Sequence, residues 1–204
     1  MLSLVAAVLV MGIAIFMVLA TTYQRHPFLK GLSTVAVLGY AFPGAILAIG
    51  VVSFAGSVDA LGTQLGLSDG LLIGGIGLLV LAYVVRFQAV GLGAITSGVN
   101  SLSPNIMSAS FVLGRGFSSS MATLGPPLLK RSILAGGILV FVDVMKELPM
   151  TLLLRPFNYE TLSTYVYQFA KDELLEESAL AAVTIIIAGL GPVILINASE
   201  RGKT

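Results

Sequence analysis

A polytopic bundle of membrane-spanning α-helices is the fold class that this sequence predicts, and three observations predict it. Of its 204 residues, 56% are hydrophobic and only 10% charged. A soluble domain carries about 25% charged residues, so this chain has too little polar material to cover a water-facing surface. Mean hydropathy is +0.99. Finally, apolar runs recur at lengths that approach the roughly 20 helical residues needed to cross a hydrocarbon core of about 30 Å. Lipid offers no partner to an open backbone amide, so helices are the sensible state for all of them.

Five runs come close to spanning length: Leu2–Ala20, Leu32–Ala55, Leu71–Val85, Ile133–Leu154 and Ala179–Ile196. The first has no basic residue ahead of it and is longer than a signal-peptide core, so it reads as a retained membrane helix. Its abrupt start fits Met1 being an internal methionine of a longer protein. Pro43 falls inside the second run, lacks an amide donor and predicts a kink. The third run is short unless the flanking Phe87–Ile95 stretch extends it. Gly70 and Gly74 are spaced as GxxxG, and Gly136 and Gly137 are adjacent; such positions let helices approach closely.

Orientation follows from the basic residues of the connections. Arg25 and Lys30 lie in the first, Arg86, Arg115, Lys130 and Arg131 in the third, and Arg201 and Lys203 in the tail, eight of the 11 in the chain. The opposite side receives Asp59, Asp69 and the mostly acidic segment Glu160–Glu177. The first and third connections and the C-terminus are therefore expected in the cytoplasm, and the N-terminus outside.

Two connections are long. The outer one, residues 155–178, carries Phe157, Tyr159, Tyr165, Tyr167 and Phe169 ahead of an acidic run, Asp172–Glu177. Aromatics of this kind favour the membrane–water boundary, which predicts a short surface helix with the acidic run as a solvated face. The inner one, residues 86–131, contains "SASFVLGRGFSSSMATLGPPLLKRSI". Gly114, Gly116 and Gly125–Pro126–Pro127 punctuate it, which predicts helix, turn, helix. Such a segment is either a docking surface for a soluble partner or an amphipathic loop resting on the bilayer.

Charge inside the fourth run is the sharpest local signal. Asp143, Lys146 and Glu147 fall on roughly one helical face, and Pro149 predicts a bend beside them by crowding the carbonyl of Met145. A charge near the bilayer centre costs about 2.5–3.5 kcal/mol and usually faces a bundle interior or a water-filled route. The competing reading places Lys146 and Glu147 at the outer interface, where snorkelling makes them cheap. Lys146 neutralises one of the two acids, leaving a spare negative charge.

Several function classes are excluded or disfavoured. Net charge is +1 and no basic face stands out, which argues against nucleic acid. The absence of Cys removes disulfides and thiolate metal sites, and His26 alone predicts no metal site. "GLSDG", residues 66–70, fits a nucleophile pattern but lacks its strand–turn–helix setting and a nearby histidine. "NAS", residues 197–199, fits a glycosylation sequon by chance. No Gly-rich loop ending in Gly-Lys-Ser/Thr exists, so nothing in the chain binds nucleotide. It is not expected to be an enzyme or to carry a cofactor.

The inner segment resembles the cytoplasmic EAA-xxx-G loop of permease subunits of bacterial ABC importers. Ala109 and Gly114 occupy two of its positions, and Pro127 falls where the family proline stands. The chain departs from the pattern at Ser108, in place of Glu, at Ser110, in place of the second Ala, and at Pro126, in place of Leu. "KELPMTLLLRPFNYETLST", residues 146–164, closely resembles a segment of the ferric-iron type of these permeases. "LGYAFPGAILAIG" (38–50) and "LAYVVRFQAVGLGAI" (81–95) are similar to its earlier helices. The resemblance runs over nearly the whole chain, in order, and corresponds to most of the second half of a two-repeat permease of the MetI-like type.

What the resemblance implies is a single permease domain over residues 1–204 in the bacterial inner membrane, moving a small solute, with ferric iron the first candidate. Thiamine, a polyamine or a phosphonate are the alternatives, as is a membrane scaffold that passes no solute. The implied partners are a cytoplasmic ATPase dimer that binds the ATP, a periplasmic solute-binding protein, the other permease half and the lipid bilayer. Residues Ser108, Ala109, Ser110, Gly114, Arg115 and Pro127 would form the ATPase-coupling loop. Asp143, Lys146, Glu147 and Pro149 would line the outer part of the translocation pathway and its gate.

Overall fold

The computed structural model describes residues 1–23, 27–66, 70, 72–103 and 105–201. Among them the chain forms nine helices: α1 (Leu2–Tyr23), α2 (Pro27–Ala41), α3 (Gly44–Gln64), α4 (Ile76–Asn100), α5 (Asn105–Val112), α6 (Phe117–Met145), α7 (Pro149–Leu154), α8 (Leu162–Lys171) and α9 (Leu175–Arg201). The all-helical class is as the sequence predicts. Three spans among the described residues, Leu2–Thr22, Gly44–Gln64 and Ile76–Asn100, are long and apolar enough to cross a membrane. Arg25, His26, Leu67–Asp69 of the GLSDG motif and Lys203 lie outside the described residues, and the side chains of Asn197–Ser199 do as well.

Helices α1, α4 and α6 pack mutually, α2 lies along α4, α3 packs on α7 and α4, and α9 on α8 and α6. Burying apolar area gives little drive between helices in lipid, so close backbone approach has to hold this centre together. A Cβ at Gly91 would stand 2.7 Å from Val10, and one at Gly136 would stand 2.6 Å from Ala94, so α4 meets α1, and α6 meets α4, at glycines. Gly70 and Gly74 do not act this way. Both sit in the turn before α4 at φ +70° and +80° with nothing near their Cβ positions, so a left-handed backbone requires them there.

Three element boundaries differ from the sequence expectation, each for a backbone reason. The run Leu32–Ala55 is two helices, because Pro43 caps α3 in an extended conformation (φ −55°, ψ 138°) and disfavours helical geometry at Phe42. The run Leu71–Val85 starts later, at Ile76, and continues to Asn100. Arg86 is therefore an interior residue of α4 and not the start of a connection, and it drops out of the count of basic loop residues. At the other end α6 begins at Phe117 and runs through Pro126 and Pro127 to Met145, so the inner connection narrows to residues 101–116 around α5, and Lys130 and Arg131 leave the count with Arg86, while Arg115 stays in it. The carbonyls of Ala122 and Thr123 lose their helical donors there, but both residues are exposed and the helix continues. Asp59 is likewise no loop residue. It is buried on α3, where its carboxylate accepts from the amides of Leu72 (3.0 Å) and Ile73 (3.0 Å).

The outer connection does contain the short helix, α8. Thr161 and Thr164 form a capping box, with the Thr164 amide donating to Thr161 Oγ1 and the Thr161 amide to Thr164 Oγ1. The acidic run is exposed throughout, and Glu176 and Glu177 occupy the first turn of α9, where the helix dipole favours them.

Candidate functional site at two helix breaks

Helix α6 does not bend at Pro149; it ends. Met145 is its last residue, and Pro149 opens α7 at a first-turn position, where a missing amide costs nothing because that amide has no helical partner anyway. Residues 146–148 thus leave the helical path, and the single-face argument for Asp143, Lys146 and Glu147 fails with it. Lys146 Nζ pairs with Asp143 Oδ1 at 2.8 Å, and its side chain is 61% exposed. Glu147 turns the other way, into the protein, where its carboxylate Oε2 lies 3.6 Å from Arg86 Nε. Two cations face two anions here, so there is no spare negative charge.

The second break, at Phe42–Pro43, stands against the same pair. Arg86 Nη1 donates to the Phe42 carbonyl at 2.9 Å, one of the carbonyls left open where α2 ends. Gly44, the first residue of α3, fits so closely that a Cβ would stand 2.5 Å from Glu147 Oε1 and 3.1 Å from Arg86 Nη1. Glu147 Oε1 also accepts from the Met150 amide at 3.3 Å, at the open start of α7. Its backbone carbonyl accepts the hydroxyls of Thr151 (2.7 Å) and Ser163 (3.0 Å). Because Thr151 spends its proton on that carbonyl, the 2.5 Å contact between the Tyr83 and Thr151 hydroxyls has Tyr83 as donor.

Irregular backbone at membrane depth survives only when it is buried in protein or lines a cavity, and broken helices with unpaired termini commonly form solute and ion sites. Both breaks here are satisfied by side chains from α4, α7 and α8. Sequence reasoning found Glu147, Lys146, Asp143 and Pro149 but missed Arg86, Gly44, Tyr83 and Thr151. The available signal was Arg86 itself, a lone cation between Val85 and Phe87 in an otherwise apolar stretch, which calls for a buried counter-charge.

The residues expected to couple to an ATPase form a separate group. Ser108 and Ala109 are exposed on α5, while Ser110 is buried, its hydroxyl 2.8 Å from that of Ser120 on α6. Gly114 has φ +79° and nothing within 4 Å of its Cβ position, so within this chain its requirement is conformational. The Arg115 amide bonds to the Ser110 carbonyl and the Gly114 amide to that of Phe111, which is a Schellman closure of α5. Arg115 Nη1 donates to Thr123 Oγ1 at 3.0 Å. Val112 and Leu113, at the tip, are 86% and 81% exposed. Pro127 lies apart from this turn, within α6.

No family model matches the chain. A curated relative, the Fe(3+)-transport system permease protein FbpB 2 of Haemophilus influenzae, is 27% identical over 119 residues, which is 58% of this chain and 24% of that protein. Among the solved structures similar to it, two are matched over all of this chain. One is the bacterial alginate ABC transporter in complex with an alginate pentasaccharide-bound periplasmic protein (TM-score 0.77, 15% identity, 76% of that chain). The other is a bacterial ABC transporter involved in import of the acidic polysaccharide alginate (TM-score 0.71, 15% identity, 79% of that chain). The chain shares the fold of these two ABC transporter chains, and it spans about a quarter of the length of the curated relative.

Proposed function

We propose that the chain is the transmembrane permease component, or half of one, of a binding-protein-dependent ABC importer in the bacterial inner membrane. The observation that carries this reading is the whole-chain likeness to the alginate importer chain, and the name of the curated relative makes iron(III) the first solute to try. The exposed end of α5, with Ser108, Ala109 and the Gly114 turn, is the surface for an ATPase dimer. Ser108 supplies no charge where the family has Glu, so docking rests on Arg115 and the apolar tip. The route passes the helix breaks at Glu147, with Asp143, Lys146 and Pro149 beside it. With the charges there balanced, recognition of the solute falls to the periplasmic protein outside.

The test is co-purification from membranes with a candidate ATPase and reconstitution in nanodiscs. A permease brings the ATPase down, and the solute-loaded binding protein raises ATP hydrolysis; a scaffold does neither. Orientation is tested in intact cells with an impermeant thiol reagent. A cysteine at Asp172 is expected to react from outside and one at Arg115 is not, and the reverse pattern would overturn the topology and the docking surface together.

A further inference from the structure

Helices α3 and α7 both begin at a break, and they pack on each other. They form a paired segment that packs on α4 as well, and each helix of it is entered through a short irregular stretch, residues 42–43 before α3 and residues 146–148 before α7. Arg86 belongs to the other side, to α4 within the close-packed α1–α4–α6 centre, and its guanidinium reaches both joints. It holds the carbonyl of Phe42 at the first and the carboxylate of Glu147 at the second. Arg86 Nε is buried without a hydrogen-bond partner, and at 3.6 Å the ion pair is longer than a charge-assisted hydrogen bond of about 2.7–2.9 Å. The contact is therefore made but not tight. A neutral contact, Tyr83 to Thr151, supports it one turn away. Asp59 ties the far end of α3 to residues 72 and 73, which lead directly into α4, so that end of the segment is anchored to the bundle and the end at the two breaks is the one left to Arg86.

We propose that Arg86 is a positioning residue for transport: it latches the start of the paired segment α3–α7 to the α1–α4–α6 bundle, and its release lets that end of the segment shift at residues 42–43 and 146–148. The transport role rests on the permease reading above; the latch itself does not. An arrangement with two packings of one segment against a rigid bundle is what alternating access needs, and breaking a buried ion pair across the joint biases the choice between them. Gly44 belongs to the latch because a methyl there pushes against the Glu147 carboxylate while leaving both charges in place.

The test is a distance measurement by double electron–electron resonance on the full chain in lipid nanodiscs. The chain has no native cysteine, so spin labels attach only at two introduced ones, at exposed Ile49 on α3 and exposed Leu139 on α6. The native latch is expected to give one dominant distance, with any displaced population under about one molecule in ten. Gly44→Ala, Glu147→Gln and Arg86→Gln are expected to raise a displaced population to about half or more, and the swap Arg86→Glu with Glu147→Arg to restore the dominant distance. Gly44→Ala keeps the assay decisive if the charge variants fail to insert. A native-like distribution in Gly44→Ala, or in both charge variants, overturns the latch. Displaced distances with unaltered solute uptake leave the latch standing and remove its transport role.

Discussion

At Gly114 the chain leaves one helix and enters another, and its own backbone closes the gap; at residues 146–148 it does the same, and there side chains from distant segments join the local bonds. The first turn is exposed, needs one left-handed residue and satisfies its carbonyls through the Arg115 and Gly114 amides. The second is buried. Its amides at 146 and 147 bond back to Val142 and Val144, the Glu147 carbonyl takes hydroxyls from nearby Thr151 and from Ser163 on α8, and the Glu147 carboxylate faces Arg86 of α4. A break closed locally keeps its shape whatever the bundle does, which suits a docking surface. A break closed by remote side chains changes shape when those segments move, which suits a joint.

The strongest way to break this comparison is to remove one partner of the buried joint. Glu147→Leu leaves the Arg86 guanidinium buried without a counter-charge, an error expected to cost about 3–5 kcal/mol. The double change Arg86→Met with Glu147→Leu leaves no charge and is expected to cost far less than the single one. Denaturant unfolding in mild detergent measures both. Equal losses in single and double variants mean the pair is not what holds the joint.

A smaller effect is expected at Thr151. Replacement by Val keeps the shape, strands the Tyr83 hydroxyl and removes one of the two hydroxyls on the Glu147 carbonyl. Leaving buried polar groups unpaired costs about 1–3 kcal/mol, and Thr151→Ser is expected to restore most of it in the same assay. If Val is neutral, the joint rests on charge alone.

At the local turn the expected effect is smaller still, and confined. Gly114→Val forces a β-branched residue to φ +79°, at about 1–2 kcal/mol, while Gly114→Asn is tolerated because Asn accepts that conformation. Amide exchange is expected to rise over residues 105–116 in the Val variant and nowhere else, and ATPase cross-linking to fall with it. Exchange that spreads into α6 or α9 would show that this turn, too, is held from afar.

The features legible in the sequence divide along the same line. The helical class, the helix–turn–helix around Gly114 and the short helix α8 all depend on neighbours in the chain, and all were readable, though sequence reasoning missed the Thr161–Thr164 cap of α8. The positions of the breaks were readable only in part: Pro43 and Pro149 pointed to them, while Pro126–Pro127 pointed to one that does not exist. A proline removes one donor wherever it stands, and the consequence depends on whether the freed carbonyl meets water or a side chain. The pairing of Glu147 with Arg86, across 61 positions of sequence, was not readable. The i, i+3 and i, i+4 spacing on which the Asp143–Lys146–Glu147 grouping rested presumes a helix that stops at Met145. Asp59 shows the same limit, since its partners at 72 and 73 are backbone amides that no pattern of side chains announces.

The smallest effect lies at Glu160, and it asks to which of the two kinds of closure the outer connection belongs. Its carboxylate pairs with Arg155 and accepts the Thr164 hydroxyl at 2.8 Å, and that hydroxyl in turn accepts from the Thr161 amide at the start of α8. The Arg155 hydrogen bond holds the Glu160 carboxyl below the usual glutamate value, with burial opposing it and Thr164 assisting. A carboxyl whose value is lowered by folding contributes its full share above the ordinary glutamate value, and that share is lost as pH falls through the lowered one. Glu160 is exposed, so salt screens the effect and keeps it small. Amide exchange in the first turn of α8, corrected for intrinsic rates, is expected to lose protection only in acid below the ordinary glutamate range. The loss is expected to shrink in high salt and to be absent in Glu160→Gln. Protection that stays flat into acid in the native chain would leave α8 resting on the Thr161–Thr164 box alone, which would place this start with the Gly114 turn, closed by its own neighbours and indifferent to the joint at Glu147.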